Sequence, residues 1–215
     1  MTSLPASNKL PIHHLAAAFN HVTNSYKFYW FLAILDRVKE DAAPFIPLQA
    51  LLANMVAGVW YPTNYFYLSF GKQDRLSGIA VQVRTMTGLT LAAKKNEVLA
   101  TTLACLPSQP KLNEEISSLG RFVPQRFLRP FFANQLKGKP DWQINSLIVK
   151  LADTTFADPV EPCLYRFVDR PNPAIEIQPD WFDYLQRHLH ILYGFCLWHL
   201  VRNKPVNPTS FSGGI

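Results

Sequence analysis

The sequence predicts a mainly α, multi-helix globular domain with a small β-hairpin near residues 163–178. Hydrophobic residues make up 48% and aromatic residues 13% of the 215 residues, enough for a sizeable core. Apolar side chains recur at helical spacing over most of the chain, and two short β-leaning runs lie in its last third. Only 17% of the residues are charged, which is too few for a coiled coil or a highly charged disordered chain.

The first half of the chain carries helical patterns separated by prolines. A helix over residues 26–39 is apolar nearly all round, which is typical of a helix at the centre of a domain. Thr23 or Asn24 can cap its start, and Pro44 and Pro47 end this unit. Further helices are predicted over residues 48–59, 72–86, 91–106 and 111–119.

The second half combines helices with the hairpin. Ile144, Leu147, Ile148 and Leu151 have helical spacing and predict a helix over residues 143–152. The hairpin strands are expected at 163–168 and 174–177, with the turn-rich residues 169–173 between them. Pro179, suited to a first helical turn, opens a long aromatic helix predicted over residues 181–202.

The expected organisation has three parts. Residues 1–140 form a helical domain with an aromatic core and a basic segment over 120–139. Residues 141–203 form the hairpin and a long C-terminal helix packed on it, and residues 204–215 form a loose tail. A single domain that includes both folded parts is the open alternative.

The basic segment is the strongest candidate for a binding site. The chain has 21 Lys and Arg against 15 Asp and Glu, a net charge of +6, which favours polyanionic partners. Between residues 120 and 139 no acidic residue interrupts the cations, and phenylalanines are interleaved with them. The candidate phosphate-binding residues are Arg121, Arg126, Arg129, Lys137 and Lys139, and the interleaved aromatics that could stack on bases are Phe122, Phe127, Phe131 and Phe132. In the alternative interpretation, the phenylalanines are core anchors and the basic groups are solvated around them.

Histidine-based chemistry has weaker support in the sequence. His188 and His199 share a helix face but would lie about 16 Å apart, too far to bind one metal ion. His13 and His14 are adjacent, and either could meet a distant carboxylate or His21 in the fold, yet no motif fixes the partner. We therefore expect surface or core-rim histidines, and an independent enzyme that uses His13 or His14 is the least favoured function.

Cysteine and glycine patterns also fail to predict catalysis. Cys105, Cys163 and Cys196 are too widely spaced for a disulfide framework or a zinc motif, so we expect reduced, mostly buried thiols. None of the nine glycines has the spacing of a nucleotide-binding loop. Residues 1–10 lack the pattern of a secretory signal, and no apolar run reaches the length of a membrane span. The expected location is the cytoplasm.

Several unusual aromatic strings, taken in order, resemble a bacterial family. They are TNSYKFYWFLAILD (23–36), NMVAGVWYPTNYFYLSFGKQDRL (54–76), VPQRFLRPFF (123–132), CLYRF (163–167), IEIQPDWFDYLQ (175–186) and FCLWHL (195–200). Together they resemble the N-terminal helical region of HNH-endonuclease-domain proteins of the restriction and phage-defence type. In such proteins this region precedes an HNH nuclease domain that holds a divalent metal, and the present sequence stops at Ile215 before such a domain.

The resemblance therefore implies a DNA-recognition or regulatory module that has no catalytic residue of its own. It implies double-stranded DNA as the partner, a nuclease domain or partner protein acting in trans, and no cofactor within this chain, because the divalent metal belongs to the HNH domain. The alternative from another class is a structural or protein-interaction domain that binds no nucleic acid. In that case the aromatic helices at Tyr26 and Trp181 would form the interface of an oligomer or heteromer.

Overall fold

Helices dominate the structure, which confirms the predicted fold class of a mainly α domain with a small β-hairpin. The computed structural model describes residues 3–20, 25–40, 43–65, 75–169 and 172–202. In chain order the helices are α1 (Ile12–Ala17), α2 (Tyr26–Glu40), α3 (Leu48–Asn64), α4 (Arg75–Thr87), α5 (Lys95–Cys105), α6 (Pro110–Gly120), α7 (Val123–Leu128), α8 (Ala133–Leu136), α9 (Asp141–Thr155), α10 (Pro179–Arg187) and α11 (Leu189–Arg202). Two short 3-10 turns are Leu106–Ser108 and Arg129–Phe132, and the strands are β1 (Phe45–Pro47), β2 (Tyr165–Val168) and β3 (Ala174–Ile177).

Helix α2 is the central helix, as its uniform apolar pattern predicts. Its side chains from Phe28 through Leu35 are all buried, and α3, α10 and α11 pack against it. A helix that is apolar on every side is stable only when other elements cover every side. The predicted capping residues Thr23 and Asn24 lie outside the described residues.

The predicted hairpin is present, and it gains a third strand that the sequence did not reveal. Strands β2 and β3 pair antiparallel, and β1 adds to the other edge of β3, with Ile46 opposite Ile175. Pro44 and Pro47 indicated only a break between helices, but proline is tolerated at a sheet edge because its missing N–H can face away from the ladder. A three-residue strand is too short for its pattern to be recognised.

The long helix predicted over residues 181–202 is wrong as a continuous element, because it breaks at His188. This residue has φ −108° and ψ 17°, outside the helical region, and α10 and α11 lie on either side of it. The break lets Trp181 in α10 and Cys196 in α11 both become buried while the two helices contact α2. Neither proline nor glycine marks the position, so the hydrophobic pattern runs through it without interruption.

Buried side chains from both predicted parts of the chain belong to one hydrophobic cluster. It extends from Leu4 near the N-terminus to Leu200 in α11, and the pairing of β1 with β3 joins the two parts through a shared sheet. The predicted loose tail, residues 204–215, lies outside the described residues.

Candidate nucleic-acid interface

The basic segment is fixed to the core by a buried chain of hydrogen bonds. The hydroxyl of Tyr165 in β2 donates to the carbonyl oxygen of Pro124 in α7 at 2.7 Å, and it accepts the indole N–H of Trp30 in α2 at 3.0 Å. Burial raises the pKa of the Tyr165 hydroxyl well above its usual range, so this group stays a neutral donor. The first turn of α7 is therefore held against α2 and the sheet.

The phenylalanines of the basic segment mostly serve the core. Phe127, Phe131 and Phe132 are buried, so these three rings are not available to stack on bases and the core-anchor interpretation holds for them. Phe127 packs on Phe31 of α2, and Phe131 packs on His14 of α1 and Trp181 of α10, so these rings stabilise the fold by filling its core. Phe122 differs because it is 50% exposed, and the Arg126 guanidinium lies 5.9 Å from the centre of its ring.

An open cleft of about 420 Å³ lies between the end of α1, the start of α2 and the α8 region. Four of its lining side chains are cationic, and none of the described lining residues is acidic. The lining consists of Ala17, Asn20, Lys27, Arg129, Pro130, Ala133, Leu136, Lys137, Gly138 and Lys139. We refer to it as the cationic cleft. Lys and Arg side chains that line one cleft, with no carboxylate among its described lining residues, form an arrangement suited to phosphate.

The fold brings together three of the five predicted phosphate-binding residues. Arg129, Lys137 and Lys139 line the cationic cleft. Arg126 forms a 3.1 Å ion pair with Asp141, and both side chains are largely exposed. Arg121 follows α6, where its backbone carbonyl accepts a hydrogen bond from the Asn145 side chain, and it does not line the cleft. The predicted segment thus contributes three of the four cations that line the cleft, and its other two predicted residues lie outside it.

Lys27 is the cleft residue that the sequence pattern did not reveal as a candidate. Its ammonium donates to the carbonyl oxygen of Ala18 at 3.2 Å. Partial burial lowers the pKa of Lys27, and the positive charges of Arg129 and Arg126 lower it further. The contributions of Arg129 and Arg126 place this ammonium among other positive charges, which a bound anion would offset. A signal was available, because Lys27 is the single charged residue in the otherwise apolar part of α2 from Tyr26 to Leu35.

The two lysines of the α8 region are presented by a tight turn. Gly138 has φ +75°, a backbone conformation that residues with a Cβ rarely adopt. The turn is closed by the N–H of Lys139, which donates to the carbonyl oxygen of Leu136 at 3.1 Å. Leu136 is buried, so the turn anchors one side in the core while Lys137 and Lys139 remain exposed at the cleft.

Histidines His13 and His14 meet a carboxylate that is distant in the sequence. Possible ligand atoms of His13, His14 and Glu161 all lie within 4.8 Å of one another. Burial lowers the pKa of His14, the neighbouring His13 lowers it further, and the charge of Glu161 acts in the opposite direction. The alternative partner, His21, lies outside the described residues.

The other histidines considered above for metal binding or catalysis pack on aromatic rings, and two of the three thiols are buried in the core. The ring of His188 packs on Tyr184 and that of His199 on Phe195, with ring centres 4.7 Å and 4.4 Å apart. Cys163 and Cys196 are buried free thiols. Burial raises the pKa of Cys163 to about 11 and raises that of Cys196 even further, so neither forms a reactive thiolate at neutral pH.

The fold and the site thus define a mainly helical protein with a cationic cleft on one side of its core. No family model, curated protein sequence or solved structure matches the chain, and the resemblance to the N-terminal region of HNH-endonuclease proteins stays a prediction. Among the described residues, no helix combines the length and the apolar character that a bilayer span requires.

Proposed function

We propose that this chain is a DNA-recognition or regulatory module of a cytoplasmic, HNH-type restriction or phage-defence system, and that the cationic cleft holds phosphates of double-stranded DNA. The observation that supports this proposal is the convergence of Lys27, Arg129, Lys137 and Lys139 on one cleft without an acidic residue among its described lining. Cations grip phosphates through charge-assisted hydrogen bonds. The nuclease chemistry would then be supplied by an HNH domain in trans.

The cleft suits phosphate positioning better than the reading of bases. Its charged groups are lysines and one arginine, and the aromatic rings next to them in sequence are mostly buried. Contacts with the DNA backbone fix the orientation of a duplex and carry no sequence information directly. Binding through this surface alone would therefore be similar for different DNA sequences and would weaken steeply with salt.

The experiment that tests this proposal is fluorescence anisotropy of a labelled duplex across a salt series. For Lys137→Gln and Arg129→Gln we expect weaker binding, with the slope of log K against log salt reduced by about 0.9 for each phosphate that the variant no longer neutralises. Lys111→Gln is the matched control, because Lys111 is exposed in α6 and does not line the cleft. Equal slopes for all three variants, or no binding at low salt, would contradict the proposal.

The alternative function, self-association without DNA binding, is favoured by one feature of α11. Ile191, Leu197, Trp198 and Val201 are exposed apolar side chains on one side of this helix, and Gly194 on the same side leaves open space above its backbone. Such a stripe can pack on its own copy across a two-fold axis. The helices first considered for this role do not fit, because Trp181 and most of α2 are buried inside the monomer.

Light scattering coupled to size-exclusion chromatography separates the two functions. A dimer that Leu197→Glu converts to a monomer, together with an absence of DNA affinity, would favour the alternative. A monomer that binds DNA through Lys137 would favour the first proposal. Trp142→Glu is the control, since Trp142 is 80% exposed on α9, away from the α11 stripe in sequence.

A further inference from the structure

Three side chains that can bind a metal ion converge at the surface of the domain. His13 and His14 lie in α1, whereas Glu161 lies in the loop between α9 and β2. Each offers one ligand atom that lies within 4.8 Å of the ligand atoms of the other two. Neighbouring residues on a helix normally point in different directions, yet the rings of His13 and His14 are only 4.0 Å apart at their centres. Both rings can therefore reach one ion.

The core holds the histidine side of this cluster in place. Leu15, the next residue of α1, is fully buried. The ring of His14 packs on the ring of Phe131, with centres 5.4 Å apart, and Phe131 in turn packs on Trp181. These contacts limit how far the His14 ring can move, while His13 remains exposed and free to adjust its side chain.

Glu161 lies in a turn that the side chain of Asp158 stabilises. The carboxylate of Asp158 accepts the backbone N–H groups of Val160 and Glu161 at 2.8 Å and 2.9 Å. The residue after Glu161 is buried Pro162, whose carbonyl oxygen accepts the indole N–H of Trp181 at 2.9 Å. Trp181 thus connects both sides of the cluster, because it also packs against Phe131. The two segments are consequently kept close together before any ion binds.

We propose that His13, His14 and Glu161 bind one divalent transition-metal ion of the zinc class, with water in the remaining coordination positions. Two imidazoles and one carboxylate form a ligand set that zinc accepts, whereas magnesium and calcium prefer ligands that are all oxygen. Zinc ligands at about 2.0–2.2 Å in tetrahedral geometry lie roughly 3.4 Å from one another. Metal binding therefore requires the exposed His13 and Glu161 side chains to rotate until the ligand atoms, now within 4.8 Å of one another, reach that separation.

This proposal is independent of DNA binding, and it differs from the divalent metal that the HNH resemblance assigns to another domain. Here the three ligands belong to this chain and tie the N-terminal segment to the loop before β2. Bound metal would cross-link two segments that are far apart in sequence. Metal binding should therefore stabilise the native state, by an amount that grows with the logarithm of the free metal concentration once this exceeds Kd.

The experiment is calorimetric titration of the tag-free full chain with zinc in a non-coordinating buffer. We expect one zinc ion per chain, and affinity at least tenfold weaker for His13→Ala and for Glu161→Gln. His190→Ala is the matched control, because His190 is exposed on α11 and is not part of the cluster. His13 and Glu161 are exposed, so we expect both variants to fold, with unchanged thermal unfolding in the presence of a chelator.

Cobalt provides a second measurement that identifies the ligands. We expect visible absorption typical of four- or five-coordinate cobalt, without the near-ultraviolet band that a thiolate ligand would add. A thiolate band would indicate that partly exposed Cys105 is the ligand and would overturn the assignment. Zinc binding below one ion per chain, or equal affinity in wild type, His13→Ala and Glu161→Gln, would also overturn it.

Discussion

Lys27 and Arg129 place two positive charges on the same cleft, although they belong to segments far apart in the sequence. Burial is the main cause of the lowered pKa of Lys27, and the positive charge of Arg129 is the next largest cause. Because the folded-state pKa lies below the unfolded value, protonated Lys27 opposes folding. This loss of stability is present in full at pH values below the folded-state pKa of Lys27. It decreases as the pH rises through that pKa.

An anion in the cleft should reverse this pKa change. We expect inorganic phosphate or a short DNA duplex to raise the pKa of Lys27, because a negative charge stabilises the ammonium form. Reductive methylation with labelled carbon and an NMR titration against pH measure the pKa of each lysine. Lys111 is the internal control and should not respond. An unchanged pKa of Lys27 at saturating DNA would mean that the duplex binds elsewhere.

The turn at Gly138 should affect the lysines that flank it. Gly138→Ala introduces a Cβ at φ +75°, where nothing lies within 4 Å of the added atom, so the expected cost of about 1–2 kcal/mol arises from backbone conformation alone. If the turn relaxes, Lys137 and Lys139 shift and DNA affinity falls. Chemical denaturation and DNA anisotropy measure the two effects.

Gly88→Ala is the control for that experiment. Gly88 has φ +69°, also with open space around the added Cβ, and it follows α4 rather than the cationic cleft. We expect a similar loss of stability for Gly88→Ala with DNA affinity unchanged. If both variants lose affinity equally, the effect of Gly138→Ala reflects general destabilisation.

The buried Tyr165 hydroxyl should make a measurable contribution to stability. Tyr165→Phe removes the acceptor of the Trp30 indole N–H and the donor to the Pro124 carbonyl. Leaving these buried groups without a partner should cost roughly 1–3 kcal/mol in the free energy of unfolding. Urea denaturation measures this loss in the free energy of unfolding. The control variant Tyr184→Phe removes one partly buried hydrogen bond to Pro5 and should lower the free energy of unfolding by less. Equal costs would indicate that water satisfies Trp30 and Pro124.

The thiols should differ in reactivity according to burial. Cys105 is partly exposed, while Cys163 and Cys196 are buried, and burial raises the pKa of all three. Near pH 8 we expect iodoacetamide to label Cys105 slowly in the native chain, with a rate that increases with pH, and to label all three thiols in urea. Peptide mass spectrometry measures the sites. Native labelling of Cys196 as fast as Cys105 would contradict the buried position of Cys196.

Local patterns predicted most helices because hydrophobic spacing along the chain reports which side of a helix is buried. Helix α2 shows this best, since its sequence is apolar on every side and the structure covers it on every side. The break at His188 and strand β1 were missed because both depend on partners distant in the sequence. Strand β1 exists through its pairing with β3, and no local feature of residues 45–47 specifies that pairing.

Local sequence patterns were sufficient to predict the mainly helical fold, the central aromatic helix and the segment that contains Arg129, Lys137 and Lys139. These follow from composition, periodicity and charge, which are properties of neighbouring residues. Packing in three dimensions brought Lys27 to the same cleft as those cations and buried Phe127 and Phe132, so these rings are core residues and not stacking surfaces. It also placed Glu161 beside His13 and His14. The physical reason is that such sites arise where distant segments pack together, and that packing is set by the burial of the whole core.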